Sequence, residues 1–475
     1  MRLRARHWKV TGRFVFESLN AEALPLSKAF YTKLPAMALR FFLVLNLLIF
    51  CSFNLFSQNP NFYFPPKTGN AWQTLPPAEL DFCPERIDSL YAYLEGRGTK
   101  SFILLKDGKI VLEKYFGSFA QDSIWYWASA GKSLTAFLVG QAQDEGLLDI
   151  QDKTSDYLGA GWTSAPLAKE NLITVWHQLT MTSGLDDAVA DDNCELPSCL
   201  TYKADAGTRW AYHNAPYRLI HDVIAEASGL TINQFTKTRV LDRTGMKGFW
   251  IDHIMYGKAR DMARFGLLML AGGVWDGDTL LHDQAYFQAM TQPSQDLNKS
   301  YGYLWWLAGQ ESFMLPGLQF VFQGQAIPNA PDDMYAALGK NDQKIHVVPS
   351  KGWVVVRQGN AGYTGPGDGN VPIILDNVMW DYLNQLVCAP VSTSEVVENQ
   401  IKIWPNPAAD GWQIESAEPV ERIEVFDLQG RMLRSLTGND STAFWLDAAG
   451  LLEGVFVLKV FAGEKIYSEK LVKFD

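Results

Sequence analysis

Ser129 and Lys132 stand three residues apart, a spacing that suits a serine nucleophile and a lysine base. Residues three apart on a helix share a face, so the lysine amine can approach the serine hydroxyl. The same stretch ends in Gly131-Lys132-Ser133, which also matches the end of a phosphate-binding loop. That loop requires a glycine five residues before Gly131, and this chain has Tyr126 there. The sequence therefore favours the serine and lysine pair.

The residues after Lys132 indicate how its amine would act as a base. Residues 134–139 form an apolar run, and an ammonium group beside such a run is poorly solvated. Poor solvation lowers the pKa of the lysine, and the neutral amine can then accept the proton of the Ser129 hydroxyl. Ser129 at a helix N-terminus would also direct a backbone N–H toward the developing oxyanion. Because a chain of this composition contains about one Ser-x-x-Lys by accident, a second element is required.

Tyr212 and Asn214 supply a candidate second element, later in the chain than the serine. The phenol can share or relay a proton, and the amide can hold a substrate carbonyl. Alone, the Tyr-x-Asn triplet could equally be a buried pair in a helix-capping loop. Its order after Ser129-x-x-Lys132 favours the catalytic interpretation.

Apolar periodicity predicts an α+β fold, an α/β sandwich, for residues 78–390. Residues 100–115 form a hairpin about Asp107-Gly108, and three strands return in residues 334–357. Helical spacing covers the region between them and a closing segment: residues 134–142, 217–227, 261–270 and 372–387. We therefore predict one antiparallel sheet built from the N- and C-terminal strands, with an inserted helical domain packed against it.

The last part of the chain differs from the rest in composition and in apolar periodicity. Residues 391–400 are predicted to be a linker, because they are polar and lack a strong period. Residues 401–475 contain short alternating strands separated by Gly and Pro, which predicts a small all-β, immunoglobulin-like sandwich.

The N-terminal region reads as a targeting segment. Residues 37–57 combine a short basic start with an apolar run and are predicted to be a signal peptide; a membrane anchor is the alternative. Residues 1–36 would then be an upstream extension, and residues 58–77 a leader. The chain has 41 basic and 52 acidic residues, and residues 1–57 hold eight of the basic and two of the acidic ones, so the remainder has a formal net charge of −17. Such an acidic body argues against nucleic acid as a partner, and no integral span is expected after signal removal.

Export into an oxidising compartment leaves an even set of cysteines after the signal. Cys194 and Cys199 enclose four residues and predict a local disulfide. Cys83 and Cys388 lie near the two ends of the main domain and could pair if those ends meet. No His and Cys pattern has zinc spacing, so we expect neither a metal nor another cofactor.

Residues 80–390 resemble the serine β-lactamase and penicillin-binding protein family, specifically its class C and esterase-like branch of β-lactamase-related serine hydrolases. Besides the two triplets, residues 145–153, 173–185 and 259–266 carry this resemblance. It implies that Ser129 is the acylated nucleophile, Lys132 its base and Tyr212 the second proton carrier.

The third element of that family is a Lys-Thr-Gly or similar triplet on a strand after the tyrosine. A literal Lys67-Thr-Gly precedes the serine and is taken as coincidence. The better match is residues 340–343, where Lys340 and Asn341 would contact substrate and the Gln343 backbone N–H would be the second oxyanion donor. Asp342 then stands where the family has glycine. An acidic side chain there would disfavour carboxylate-bearing β-lactams unless Lys340 neutralises it.

Residues 401–475 resemble the C-terminal sorting domain of proteins exported by the type IX secretion system, through their Trp404-Pro-Asn-Pro start and closing Glu-Lys-Leu-Val-Lys. The resemblance implies a partner, the type IX machinery, and a secreted or cell-surface location after periplasmic transit. A generic adhesion sandwich is the alternative.

These features together predict a secreted serine hydrolase that cleaves an ester or amide through an acyl-enzyme on Ser129. Its partner would be a small-molecule or peptide-like substrate: a small ester, an oligoamide, or a D-amino-acid peptide or β-lactam. The alternative is a catalytically inactive binding protein of the same fold displayed on the cell surface, and its main support is Asp342 together with the non-standard third element.

Overall fold

A computed structural model describes residues 62–363, 373–388, 401–427, 431–438, 441–463 and 465–474. The predicted upstream extension, signal peptide and linker lie outside the described residues. So do the first residues of the predicted leader.

The α+β region begins with a helix and two long strands and ends with two long strands and a helix. Its strands, β1 to β13 in chain order, are Thr99–Lys106, Lys109–Tyr115, Trp125–Tyr126, Gly248–Ile251, Ile254–Gly257, Val274–Trp275, Asp278–Thr279, Trp306–Leu307, Ser312–Phe313, Phe322–Gln323, Tyr335–Gly339, Gln343–Val348 and Trp353–Gly359. Its α-helices, α1 to α12, are Pro84–Gly96, Gly131–Asp144, Thr154–Leu158, Leu167–Glu170, Val175–Leu179, Asn214–Arg218, Ile220–Ser228, Ile232–Thr236, Asp242–Thr244, Ala259–Leu270, Gln284–Met290 and Ile373–Asn384.

A six-stranded antiparallel sheet with the order β2-β1-β13-β12-β11-β8 is the centre of this region. The N-terminal strand β1 pairs with the late strand β13, with Ile103 opposite Val356. This pairing confirms the prediction that the sheet is built from both ends of the domain. The predicted hairpin is also confirmed, because Asp107 and Gly108 both have positive φ angles, as a primed turn between β1 and β2 requires.

Helices cover the sheet and enclose a buried core. In α2, the residues from Gly131 to Ala142 are all buried, so this helix runs through the interior instead of along the surface. Helix α10 packs directly on the sheet at Gly266, where an added Cβ would lie 2.4 Å from Val354 Cγ1. Glycine is therefore needed for this close approach.

The described residues contain two disulfides, the local one that the spacing predicted and the long-range one that it left conditional. Cys83 bonds to Cys388, and the chain ends around them also pair, since Cys83 N donates to the Leu386 carbonyl at 2.9 Å. The two ends of the α+β region therefore meet. Cys194 bonds to Cys199 and closes a short loop.

The C-terminal region is all β in its described residues. Its strands, β14 to β20, are Ile401–Trp404, Gly411–Ser416, Val420–Phe426, Met432–Thr437, Ala443–Asp447, Gly454–Ala462 and Lys465–Lys473. They form a three-stranded sheet, β14-β15-β18, and a four-stranded sheet, β17-β16-β19-β20. Side chains such as Trp412, Ile423 and Leu458 form its own buried core. The predicted all-β module with two sheets is thus confirmed.

Within the described ranges, no helix combines the length and the apolar character that crossing a bilayer requires. Over the same part of the chain, no group of three or more His, Cys, Asp or Glu side chains is arranged to hold a metal ion.

Candidate active site

Ser129 lies in a single 3₁₀ turn, Ala128–Ala130, that leads directly into α2. Ala128 has a φ angle of 47°, a left-handed conformation that costs energy for a residue with a side chain. The end of β11 lies against this turn, because an added Cβ on Gly339 would be 2.4 Å from the Trp127 carbonyl oxygen. Such strained backbone, held in place by its surroundings, is frequent at functional sites.

Lys132 lies one turn further along, and its amine contacts Ser129 as the spacing predicts. Its Nζ donates to Ser129 Oγ at 2.9 Å and to Asn214 Oδ1 at 2.8 Å. The same nitrogen lies 4.3 Å from the ring centre of Tyr217 and 5.1 Å from that of Tyr212. The side chain is thus enclosed by aromatic rings and has two fixed polar neighbours.

Burial lowers the pKa of Lys132 from its ordinary value to about 7. The negative charge of Asp192 raises this pKa and opposes the effect of burial, whereas the positive charge of Arg218 lowers it further. At neutral pH a large fraction of the amine is therefore uncharged. An uncharged amine has a lone pair available to accept the hydroxyl proton.

Tyr212 also reaches this point, although it comes from a distant part of the sequence. Its ring stacks on Trp306 with centroids 6.0 Å apart, and the side chain is buried. Burial raises the pKa of Tyr212, and a side-chain hydrogen bond with Ser129 lowers it in part. The phenol therefore stays protonated at neutral pH. The hydroxyl, amine and phenol of the three predicted residues meet at one place.

Asn214 begins α6 and lines the cleft beside Ser129. Its Oδ1 accepts from Lys132, and its Nδ2 donates to Asp192 Oδ2 at 2.9 Å. This side chain therefore positions the lysine amine, and the second N–H of Nδ2 is the group that could donate to a substrate carbonyl.

The residues predicted for the third element separate in the structure. Lys340 is exposed and lines the cleft beside Ser129. Asn341 instead donates from Nδ2 to the Tyr126 hydroxyl at 2.7 Å. Gln343 is fully buried on β12, and its Nε2 donates to the Asn341 carbonyl at 2.8 Å and to the Gly359 carbonyl at 2.7 Å. The Gln343 side chain therefore braces the turn, and Gly339 at the end of β11 lies against the backbone around Ser129.

The expectation that Asp342 presents its charge to substrate is wrong. The side chain is buried, with Oδ1 3.1 Å from Lys344 Nζ and Oδ2 accepting from Gly362 N at 2.8 Å. Both Asn341 and Asp342 have left-handed φ angles, near 60°, which turn the Asp342 side chain away from the cleft. The Asp342 charge therefore gives no reason to exclude carboxylate-bearing substrates.

Asp342 belongs to a buried ionic cluster behind the sheet. Lys344 Nζ also donates to Asp376 Oδ2 at 2.5 Å, and His346 Nε2 lies 2.7 Å from Asp376 Oδ1. Burial alone would raise the pKa of Asp376, but Lys344 and His346 hold it below its usual value. The cluster thus connects the turn that carries Lys340 to α12.

Replacing Asp342 with asparagine should destabilise the fold by about 1–3 kcal/mol, because the buried Lys344 ammonium loses one carboxylate partner. The new amide oxygen can still accept from Gly362, so the change isolates the charge. We expect a lower urea midpoint for Asp342→Asn. Asp88→Asn, at an exposed position, serves as the matched control and should change stability by less than about 0.5 kcal/mol. Equal midpoints for Asp342→Asn and the unmodified chain would contradict this role.

A cleft with a volume of about 370 Å³ opens over Ser129. Most of the residues that line it, including Asp187, Asp192 and Arg218, were not predicted from the sequence. Arg218 forms ion pairs with Glu195 and Asp252, next to the Cys194–Cys199 loop. No local motif marks these residues, since segments far apart in the chain bring them together. The closely spaced cysteines were the one signal of an ordered loop at this place.

The fold and the serine, lysine and tyrosine cluster together define a β-lactamase-like protein. The sequence pattern of the Beta-lactamase family matches residues 92–375, which is more than half of the chain. The chain belongs to this family, whose members are serine hydrolases. The pattern described as a secretion system C-terminal sorting domain matches residues 402–474. This domain marks the chain for export by type IX secretion to the cell surface or beyond it.

Individual relatives are distant. The 6-aminohexanoate-dimer hydrolase of Paenarthrobacter ureafaciens is 23% identical over 287 residues, covering 51% of this chain and 73% of the relative. A solved structure from Bacillus anthracis, provisionally named a 6-aminohexanoate-dimer hydrolase, is 16% identical with a TM-score of 0.52 and covers 68% of this chain and 89% of its own. A provisionally named β-lactamase from Bacteroides dorei is 18% identical with a TM-score of 0.51, covering 64% and 99%. At such identities the two solved structures show the shared fold alone.

Proposed function

We propose that this protein is an exported serine hydrolase that cleaves an ester or amide through an acyl-enzyme on Ser129. The contact of 2.9 Å between Lys132 Nζ and Ser129 Oγ, made by a buried amine with a pKa of about 7, carries this proposal. Lys132 accepts the hydroxyl proton as Ser129 attacks the carbonyl carbon. Tyr212, whose raised pKa keeps it protonated, delivers a proton to the leaving group and regains one from the Lys132 ammonium, which becomes a neutral amine again. Water then hydrolyses the acyl-enzyme.

The oxyanion donors follow from the same geometry. The backbone N–H of Ser129, at the start of α2, is one donor in this proposal. We place the second at the end of β11 near Gly339 instead of at Gln343, because β11 contacts the serine turn. The substrate class includes small esters, oligoamides such as the substrate named for the Paenarthrobacter relative, and D-amino-acid peptides or β-lactams. Lys340 offers a cation in the cleft for a substrate carboxylate.

The alternative, a binding protein without turnover, depended on an acidic Asp342 in the cleft. That side chain is buried and faces Lys344, so its charge no longer supports the alternative. The non-standard third element is the support that stays, and the turnover assays below distinguish the two proposals.

Labelling with a fluorophosphonate probe tests the proposal directly. We expect the unmodified protein to be labelled and Ser129→Ala to show no labelling, because the probe bonds to an activated serine oxygen. Ser133→Ala, in the same helix, is the matched control and should retain the label. Equal labelling of Ser129→Ala would refute the proposal, as would the absence of Ser129-dependent turnover across p-nitrophenyl acetate, nitrocefin and a panel of amides.

The pH dependence of kcat/KM should report the titration of Lys132. Only the neutral amine accepts a proton, so activity should rise with pH through a midpoint near 7. Asp192 raises the pKa of Lys132, so Asp192→Asn should move this midpoint to lower pH. Asp191→Asn changes the neighbouring exposed carboxylate and should leave the midpoint in place. The background hydrolysis measured with Ser129→Ala would be subtracted from each rate. A pH midpoint that Asp192→Asn does not move would contradict the assignment of this titration to Lys132.

A further inference from the structure

A hairpin at the cleft mouth exposes an unusual number of apolar side chains. Strands β9 and β10 pair, and the segment that joins them, residues 314–321, contains no charged residue. Within it, Leu318, Phe320 and Val321 are 47%, 61% and 42% exposed. Clusters of exposed large apolar groups are unfavourable in water and commonly mark binding sites. We refer to residues 312–323 as the apolar hairpin.

The apolar hairpin is an ordered part of the cleft wall. Pro316 and Gly317 line the cleft over Ser129, directly before the exposed side chains. Gln319 Nε2 donates to the Trp210 carbonyl at 3.0 Å, two residues before Tyr212. The hairpin is therefore attached to the segment that supplies the phenol.

Packing within the hairpin leaves much of this apolar surface in solvent, although the Phe320 ring contacts the Phe322 ring with centroids 4.8 Å apart. The hairpin buries Phe313 and Met314, and Phe313 stacks on Phe322 with centroids 5.1 Å apart. Leu318 and Val321 lie outside this packed base, and polar residues would fill a surface turn at lower cost. Elsewhere the described cleft wall carries charged groups such as Asp187 and Lys340, so the apolar hairpin is the part that suits an apolar chain.

We propose that the apolar hairpin binds an alkyl or aryl chain of the substrate while its carbonyl group lies over Ser129. This inference rests on the proposed hydrolase function and narrows the substrate class to esters or amides with an apolar chain on one side of the scissile bond. Leu318, Phe320 and Val321 are then residues that determine specificity.

Two series of esters test this proposal: p-nitrophenyl esters with acyl chains from acetate to octanoate, and acetate esters of alcohols from methanol to octanol. A fully buried CH₂ group corresponds to an approximately fourfold gain in binding. We expect kcat/KM to rise about two- to fourfold per CH₂ in one of the series. In the variant Leu318→Ser/Phe320→Ser/Val321→Ser, kcat/KM should no longer rise with chain length. Phe320→Trp, which preserves an apolar surface, should keep the slope.

The control variant Leu167→Ser/Leu172→Ser removes two exposed apolar side chains, 56% and 46% exposed, that do not line the cleft. It should behave like the unmodified protein, and fluorophosphonate labelling of each variant reports whether the serine site is intact. A flat dependence on chain length in both series, or an unchanged slope in the triple variant, would overturn this inference and leave the hydrolase proposal standing. No Ser129-dependent turnover of any ester, amide or β-lactam would overturn both.

Discussion

Replacing Lys132 with methionine is expected to lower kcat/KM for p-nitrophenyl acetate by about 10²–10⁴-fold, the usual contribution of a general base. The amine at 2.9 Å is the group placed to accept the proton of Ser129. Methionine has a similar length and no charge to bury, so the buried position should accept it. Steady-state kinetics with the purified full chain would measure the effect.

Lys340→Met is the matched control for this change. Lys340 is a lysine of the same cleft, but it is exposed and belongs to the turn after β11. Because p-nitrophenyl acetate carries no carboxylate, we expect Lys340→Met to change its kcat/KM by less than about tenfold. A Lys132→Met protein with activity within tenfold of the unmodified chain would exclude Lys132 as the base.

Replacing Tyr212 with phenylalanine should lower turnover by about 10²-fold for alkyl esters and far less for p-nitrophenyl esters. Burial raises the pKa of Tyr212, so its phenol donates a proton at neutral pH and does not abstract one. An alkoxide leaving group needs that proton, whereas p-nitrophenolate leaves without it. Phenylalanine keeps the stacking on Trp306, so the ring position should be preserved. The ratio of the two defects is therefore the diagnostic quantity.

Tyr217→Phe removes another buried phenol beside Lys132 and serves as the control. Its hydroxyl donates to the His253 carbonyl at 3.3 Å, away from Ser129. It should affect both classes of ester equally. If Tyr212→Phe lowers kcat/KM equally for alkyl and p-nitrophenyl esters, Tyr212 takes part in the proton transfer from Ser129 and not in the one to the leaving group.

The parts of the site that could be predicted from sequence are those fixed by local geometry. Ser129 and Lys132 share a helix face, so their contact follows from spacing. The Asp107-Gly108 turn likewise follows from the backbone preferences of its residues. The Tyr-x-Asn triplet made Tyr212 a candidate, but its role beside Ser129 was implied by the family resemblance, because a contact between segments so far apart in the chain has no local signal.

The direction of individual side chains could not be predicted. Asp342 was placed in the correct turn, but its left-handed φ angle sends the carboxylate to Lys344 and Asp376. The buried Lys344 ammonium attracts that carboxylate. Lys344 also pairs with Asp376 on α12, so the cluster depends on how α12 packs behind the sheet, which the sequence does not indicate. Asp192 was missed for a similar reason, since its contact with Asn214 depends on how a loop folds over the cleft.

The disulfide between Cys83 and Cys388 affects how the exported protein responds to cleavage by extracellular proteases. It joins the residue before α1 to a residue just after α12, so almost every surface loop around the cleft lies between the two cysteines. A single backbone cut in any of these loops leaves both pieces in one covalent molecule. The nicked protein can then keep Ser129, Lys132 and Tyr212 together after an attack that would otherwise allow the fragments to separate.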